Sequence, residues 1–96
     1  MMNYILTKEA ESDLEKIWLY TFENWSSEQA DRYLNFLLDE FDYLCLKPDS
    51  GNDFGKIRKG YWRSKVNSHF VFYKIKKDQI EIIRVLHEMM DIESHL

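Results

Sequence analysis

The chain has 96 residues, of which 45% are hydrophobic and 16% aromatic, and its formal net charge at pH 7 is −4. A chain of this size supports one hydrophobic core, so residues 1–96 are predicted to form a single domain. The one cysteine, Cys45, excludes an intrachain disulfide, and no apolar run approaches the ~18 residues of a membrane span, so a cytoplasmic protein without a membrane segment is expected.

The first half of the chain is predicted to be a short strand followed by two helices. The run NYIL at 3–6 is typical of a strand, and Thr7 after it is a suitable N-cap for a helix over about 8–23. Ser26 and Gln29 have the capping-box spacing and begin a second helix. Its apolar stripe consists of Ala30, Tyr33, Leu34, Leu37, Leu38, Phe41 and Leu44. The short connection ENWSS makes the two helices an antiparallel hairpin.

After the loop KPDSGNDFGK, the hydrophobic period changes to two. In GYWRSKV, Tyr61, Arg63 and Lys65 share one face of a strand, which is predicted to be the wet face. HFVFYKI and QIEIIRVLH are rich in β-branched and aromatic residues, and KKDQ between them favours a tight turn. The predicted fold is therefore α+β, in the order β-α-α-β-β-β. A helical hairpin packs on a mainly antiparallel sheet, and a short helix or turn ends the chain.

The charges are unevenly distributed along the sequence. Residues 1–55 hold four Lys or Arg and twelve Asp or Glu, whereas residues 56–96 hold nine and five. Within 56–77 there are eight basic residues and no acidic one. This stretch is either a solvated surface or a region that receives an anionic partner.

The C-terminal sequence RVLHEMMDIESHL contains the beginning of a zinc motif. His87 and Glu88 match the start of HExxH, but position 91 is Asp. His87, Asp91 and His95 would share a face only on one continuous helix, and the β-branched run before them opposes that helix. Neither a metal nor another cofactor is therefore expected. Arg84 is a charge within an apolar strand, and the sequence does not identify its partner.

Six stretches, in this order and spacing, resemble the ParE branch of the ParE/RelE toxins of bacterial type II toxin–antitoxin systems, a group that includes plasmid stabilisation proteins. They are AESDLEKIWLYTFENW, QADRYLNFL, KPDSG, IRKGYWR, SHFVFY and IIRVLHEMMDIESHL. The resemblance covers nearly the whole chain and implies the same fold as the periodicity. It also implies a cognate antitoxin, ParD-like or similar, and a toxin–antitoxin hetero-oligomer.

The resemblance implies one of three functions. ParE-like members poison DNA gyrase, whereas RelE-like members cut messenger RNA on the ribosome, and a third class would be a non-toxic relative that binds an antitoxin. A nuclease would need cations and a proton-transfer group, for which the candidates are Arg63, Arg84 and His87. Arg84 and His87 have opposite strand parity, and a chain at −4 is poorly suited to ribosomal RNA. Gyrase inhibition without catalytic residues is therefore favoured, and no sequence-specific binding of nucleic acid is expected.

Two groups of contact residues are predicted. The segment after the last strand projects beyond the expected core, and methionines suit an adaptable binding surface. The residues predicted to contact gyrase are Met89, Met90, Asp91 and His95. The residues predicted to contact the antitoxin lie at the start of the basic stretch and are Arg58, Tyr61, Arg63 and Lys65.

Overall fold

The computed structural model describes residues 2–96, which form a five-stranded sheet with a helical hairpin on one face. The elements are β1 (Asn3–Leu6), α1 (Lys8–Asn24), α2 (Ser27–Leu46), a 3-10 turn (Pro48–Ser50), β2 (Asn52–Asp53), β3 (Tyr61–Val66), β4 (His69–Ile75), β5 (Gln79–His87) and α3 (Ile92–His95). The predicted α+β class and the order of the main elements are confirmed. The two-residue strand β2 is an addition within the predicted loop.

The strands lie in the order β1-β5-β4-β3-β2. β1 is parallel to β5, and every other neighbouring pair is antiparallel. The chain between β1 and β5 contains the helical hairpin and strands β2 to β4, which is ample length for the crossover that a parallel pair requires. The mainly antiparallel sheet is therefore as predicted.

Local side-chain bonds begin both long helices. Thr7 Oγ1 accepts a hydrogen bond from the Ala10 N–H at 3.0 Å and donates one to the carbonyl of Ile83 at 2.7 Å. Ser26 Oγ accepts a hydrogen bond from the Gln29 N–H at 3.1 Å. The predicted caps are correct, and Thr7 also ties the start of α1 to β5.

The main core lies between the hairpin and the sheet. Leu37, Phe41 and Leu44 of α2 are fully buried against Tyr73 of β4 and Ile82 of β5. A second apolar cluster covers the opposite face of the sheet, hereafter the outer face. It contains Tyr61, Phe72 and Leu86, with Ile92 and Leu96 of the C-terminal segment packed on them. Both faces of the sheet are therefore covered in part.

A β-bulge explains why β5 is apolar on both parities. Phe72 pairs with Arg84 and Tyr73 with Ile82, so Ile83 has no partner on β4. The extra residue reverses the alternation, so Ile82 and Val85 both belong to the core under the helices. Ile83 packs on the outer face. Among residues 2–96, no helix combines the length and apolar character needed to cross a membrane.

Candidate functional site

A cavity of about 910 Å³ opens between the helical hairpin and the far ends of β4 and β5. It exists because β1 ends at Leu6 while β5 continues to His87, leaving the second half of β5 as a sheet edge. The walls come from α1, α2, the two strands and the C-terminal segment. The lining includes Asp13, Lys16, Ile17, Tyr20, Trp25, Arg32, Tyr33, Phe36, His69, Arg84, Val85, Leu86, His87, Met90 and His95.

Large apolar side chains at the mouth of the cavity are exposed. Tyr20 and Trp25 are each 61% exposed, and Phe36 is 47% exposed. The Tyr20 and Trp25 rings also contact each other edge to face, with their centroids 6.1 Å apart. A contiguous exposed apolar surface beside a cavity is typical of a docking site for another protein.

A buried ion pair closes one end of the cavity. Arg84 Nε and Nη2 donate to the two carboxylate oxygens of Asp13 on α1, at 2.8 and 2.9 Å. These bonds raise the pKa of Arg84 above its ordinary value. The same carboxylate accepts the Val85 N–H at 3.0 Å, and Arg84 Nη1 donates to the carbonyl of His95 at 3.0 Å. Asp13 is thus the partner of Arg84, and the pair connects α1, β5 and the C-terminal segment.

Two histidines also line the cavity. His69 of β4 pairs with His87 of β5, and their ring centroids are 5.1 Å apart. Tyr33 Oη, from α2, lies 2.6 Å from His69 Nδ1 and 3.2 Å from the carbonyl oxygen of Val66. Burial, followed by the charge of His87, lowers the pKa of His69 from 6.5 to about 4. His69 is therefore neutral near pH 7, and its bond with Tyr33 joins α2 to the sheet.

A falling pH is expected to destabilise the fold through His69. Its pKa is about 4 in the folded state and near 6.5 when solvated, so the unfolded chain takes up a proton first. The contribution of His69 is complete above about pH 6.5 and is lost as the pH falls towards 4. His69→Asn keeps a polar atom near Tyr33 but cannot titrate, so its urea-unfolding midpoints should depend less on pH in that range than those of the wild type.

The matched control is His95→Asn, which removes an exposed histidine. It should leave the pH dependence of the unfolding midpoint as in the wild type. Identical pH profiles for wild type and His69→Asn would contradict the assigned role of His69.

The three nuclease candidates do not form one site. Arg84 and His87 both line the cavity, because Arg84 reaches around the open edge of β5 to Asp13. The opposite strand parity of Arg84 and His87 predicts that their side chains lie on opposite sides of the sheet. In the structure both side chains nevertheless line the cavity. Arg63, however, lies on the outer face of the sheet, with its guanidinium 4.3 Å from the Phe70 ring centroid.

Tyr33 and His69 are absent from the predicted site residues. Little in the sequence marks Tyr33 or His69 as a site residue, since each fits the apolar or alternating period of its own element. Their proximity depends on the packing of α2 on β4. Among residues 2–96, no three potential metal-ligating side chains of His, Cys, Asp or Glu cluster together.

The residues predicted to contact the antitoxin lie on or beside the outer face, but the expected exposure of Tyr61 is wrong. Tyr61 is only 8% exposed, because the second apolar cluster, the Arg58 guanidinium and the Lys74 ammonium surround its ring. Lys65 remains accessible and forms an ion pair of 3.4 Å with Glu88.

The C-terminal residues predicted to contact gyrase remain accessible. Met89 is 83% exposed, whereas Met90 and His95 line the rim of the cavity. Asp91 occupies the N-cap position of α3, but its side chain makes no capping bond. Residues 87–95 do not form the continuous helix that the zinc motif requires, since His87 ends a strand and Asp91 and His95 follow a turn.

These features define a small α+β domain with an open apolar cavity beside the sheet edge. Its sequence and its fold are similar to those of known toxins. Residues 4–92 match the family model described as ParE toxin of type II toxin-antitoxin system, parDE. Toxin ParE1 of Caulobacter vibrioides is 38% identical over 96 residues, covering 100% of this chain and 99% of the relative. Toxin ParE1 of Mycobacterium tuberculosis is 35% identical over 94 residues, covering 97% and 96%.

Two solved structures share the fold. The chromosomal ParDE TA system from P. aeruginosa superposes with a TM-score of 0.78 at 18% identity, covering 91% of this chain and 96% of that one. The YoeB/ParE toxin from Agrobacterium tumefaciens gives a TM-score of 0.65 at 17% identity, covering 90% and 98%. The chain belongs to the ParE family of toxins of type II toxin–antitoxin systems.

Proposed function

We propose that this ParE-family toxin arrests growth by inhibiting DNA gyrase and is neutralised by a cognate ParD-like antitoxin in the cytoplasm. The observation that carries the proposal is the family match over residues 4–92. The separation of Arg63 from Arg84 and His87 supports it, because a nuclease would need these groups around one phosphate. Arg84 is also engaged by Asp13 and the carbonyl of His95, which leaves it a structural role.

The cavity suits the antitoxin. A partner segment with one apolar side would cover the exposed rings of Tyr20, Trp25 and Phe36, and a toxin–antitoxin hetero-oligomer would result. Lys16 and Arg32 at the rim favour acidic residues on the polar side of that segment. Arg58, Arg63 and Lys65 remain the alternative antitoxin surface, on the other side of the sheet.

The segment after β5 is the proposed contact with gyrase. The high exposure of Met89 supports this choice, because the core does not require that side chain. Met90, Asp91 and His95 adjoin it. Met90 and His95 also line the cavity, so an antitoxin seated there would cover part of the same segment. Competition between antitoxin and target follows from this overlap.

The proposal predicts growth arrest when the toxin is expressed alone and recovery when its cognate antitoxin is expressed with it. Plasmid extracted from arrested cells should be relaxed, and ribosome-bound message should be intact. Trp25→Asp and Phe36→Asp should retain toxicity but escape neutralisation, because they place charge at the apolar mouth of the cavity. The same substitution at Leu46, which is 62% exposed and does not line the cavity, is the control.

The outcomes separate the three functions. Escape by Arg63→Glu and Lys65→Glu, but not by the cavity variants, would place the antitoxin on the basic strand instead. Cleaved message with normally supercoiled plasmid would indicate the ribosome-dependent nuclease. Stable expression without any growth arrest would indicate a non-toxic antitoxin-binding relative.

A further inference from the structure

The outer face of the sheet carries cations and aromatic rings in alternating positions. Across β3 and β4, Arg63 pairs with Phe72, Lys65 with Phe70, and Tyr61 with Lys74. Residues paired across antiparallel strands project from the same face of the sheet. Of the basic stretch 56–77, Arg63, Lys65 and Lys74 therefore lie together on this face of the sheet.

The rings hold these cations in place. The Arg63 guanidinium lies 4.3 Å from the ring centroid of Phe70 and 5.0 Å from that of Phe54. The Lys74 ammonium lies 5.1 Å from the Tyr61 ring centroid, and the Arg58 guanidinium lies 5.9 Å from the same centroid. Contacts of this kind stabilise a cation that lies above the face of a ring. They leave the N–H groups of the cation free to bind an anion.

The positive charge of the outer face is only partly compensated by ion pairs among residues 2–96. Arg58, Arg63 and Lys74 form no ion pair with any side chain of residues 2–96. The negative charge is concentrated in the helical half of the chain, since residues 1–55 have a net charge of −8. The two halves thus give the domain a strong charge asymmetry, which orients it towards an anionic partner.

Two carboxylates lie beside these cations, and Glu81 is the direct cross-strand neighbour of Lys74. Glu81 pairs with Lys76 at 3.3 Å, and Glu88 pairs with Lys65 at 3.4 Å. Each acid is therefore matched by a cation outside the Arg58, Arg63 and Lys74 set. Arg58, Arg63 and Lys74 therefore keep no ion pair within residues 2–96, while Asp91 and Glu93 lie on the C-terminal segment that packs on the same face.

We propose that the outer face binds the phosphate backbone of duplex DNA without reading its sequence. In the cell this would be the DNA held by gyrase, and that part rests on the proposed function. Among the residues that the structure describes, Arg58, Arg63 and Lys74 form no ion pair on this face, and the phosphates of a duplex supply the complementary charge at regular intervals. Lysine is depleted from the centres of protein–protein interfaces but enriched where proteins contact nucleic acid. The cations also cover the rings that a protein partner would otherwise contact.

The test is fluorescence anisotropy with a labelled 20-base-pair duplex, a single-stranded RNA of equal length, and purified toxin. Three phosphate contacts predict a slope of log K against log salt of about −2.7 for duplex DNA, or roughly a 40-fold loss of affinity between 50 and 200 mM salt. Arg58→Gln, Arg63→Gln and Lys74→Gln should each reduce the slope by about one. Lys47→Gln, an exposed cation on the helical side, is the matched control and should leave the slope unchanged.

Melting curves check that each variant is folded, and a gyrase supercoiling assay is run with the same proteins. Absence of duplex binding at 50 mM salt would overturn this inference, even if gyrase is inhibited. Equal slopes for wild type and the three variants would also overturn it, as would binding of RNA alone. Weakened antitoxin affinity in these variants, with unchanged DNA affinity, would reassign the face to protein docking. Duplex binding that depends on these cations, with gyrase unaffected, would support the surface and contradict the proposed target.

Discussion

Asp13→Ala is expected to lower the free energy of unfolding by about 3–5 kcal/mol, which is the usual cost of breaking a buried ion pair. The carboxylate is 8% exposed and accepts three hydrogen bonds, two from Arg84 and one from the Val85 N–H. Removing it leaves a largely buried guanidinium and a backbone donor without partners. Chemical denaturation with matched m-values is the measurement.

A double variant identifies the cause of that loss. Asp13→Leu with Arg84→Met removes both charges, so it should be more stable than Asp13→Ala alone, because no uncompensated charge remains buried. The Val85 N–H stays unpaired in both. A loss below about 1 kcal/mol for Asp13→Ala, in the range of an exposed pair, would contradict the assignment of the pair as buried and structural.

Leu37→Ala is expected to lower the free energy of unfolding by about 2–5 kcal/mol, a large part of a typical stability of about 5–15 kcal/mol. Leu37 is fully buried on the face of α2 that packs against the sheet. The cost combines the lost transfer energy of the side chain with the cavity that alanine leaves. Equilibrium unfolding in urea measures the change.

The control for this substitution is on the same helix. Leu46 is 62% exposed, so Leu46→Ala removes the same atoms from solvent contact rather than from the core and should change stability little. Equal unfolding curves for the Leu37→Ala and wild-type proteins would show that the buried face of α2 is assigned incorrectly.

Local features of this fold follow from the sequence because local physics determines them. Thr7 and Ser26 begin helices since each can accept a hydrogen bond from a backbone N–H three residues later. The alternation of β3 and the apolar content of β5 predict their places in the sheet. The strand β2 is not predictable in this way, because Asn52 and Asp53 have low strand propensity and are held by pairing with β3.

The cavity could not be predicted, since its residues are distant in sequence and meet only after packing. Asp13 and Arg84 are 71 positions apart, and Tyr33 and His69 are 36 apart. The bulge at Ile83 leaves the opposite parity of Arg84 and His87 unchanged, and both line the cavity only because the Arg84 side chain extends around the open edge of β5 to Asp13. Tyr61 has the parity of a wet face, yet a second apolar cluster buries it.

We propose that this member of the ParE family stops growth through DNA gyrase and not through cleavage of RNA. Supercoiling of relaxed plasmid by purified gyrase, with and without the purified toxin, tests it most directly. We expect the toxin to abolish supercoiling, and equimolar antitoxin to restore it when bound to the toxin first. Unimpaired supercoiling at toxin concentrations that cause cuts in the message of translating ribosomes would contradict the claim.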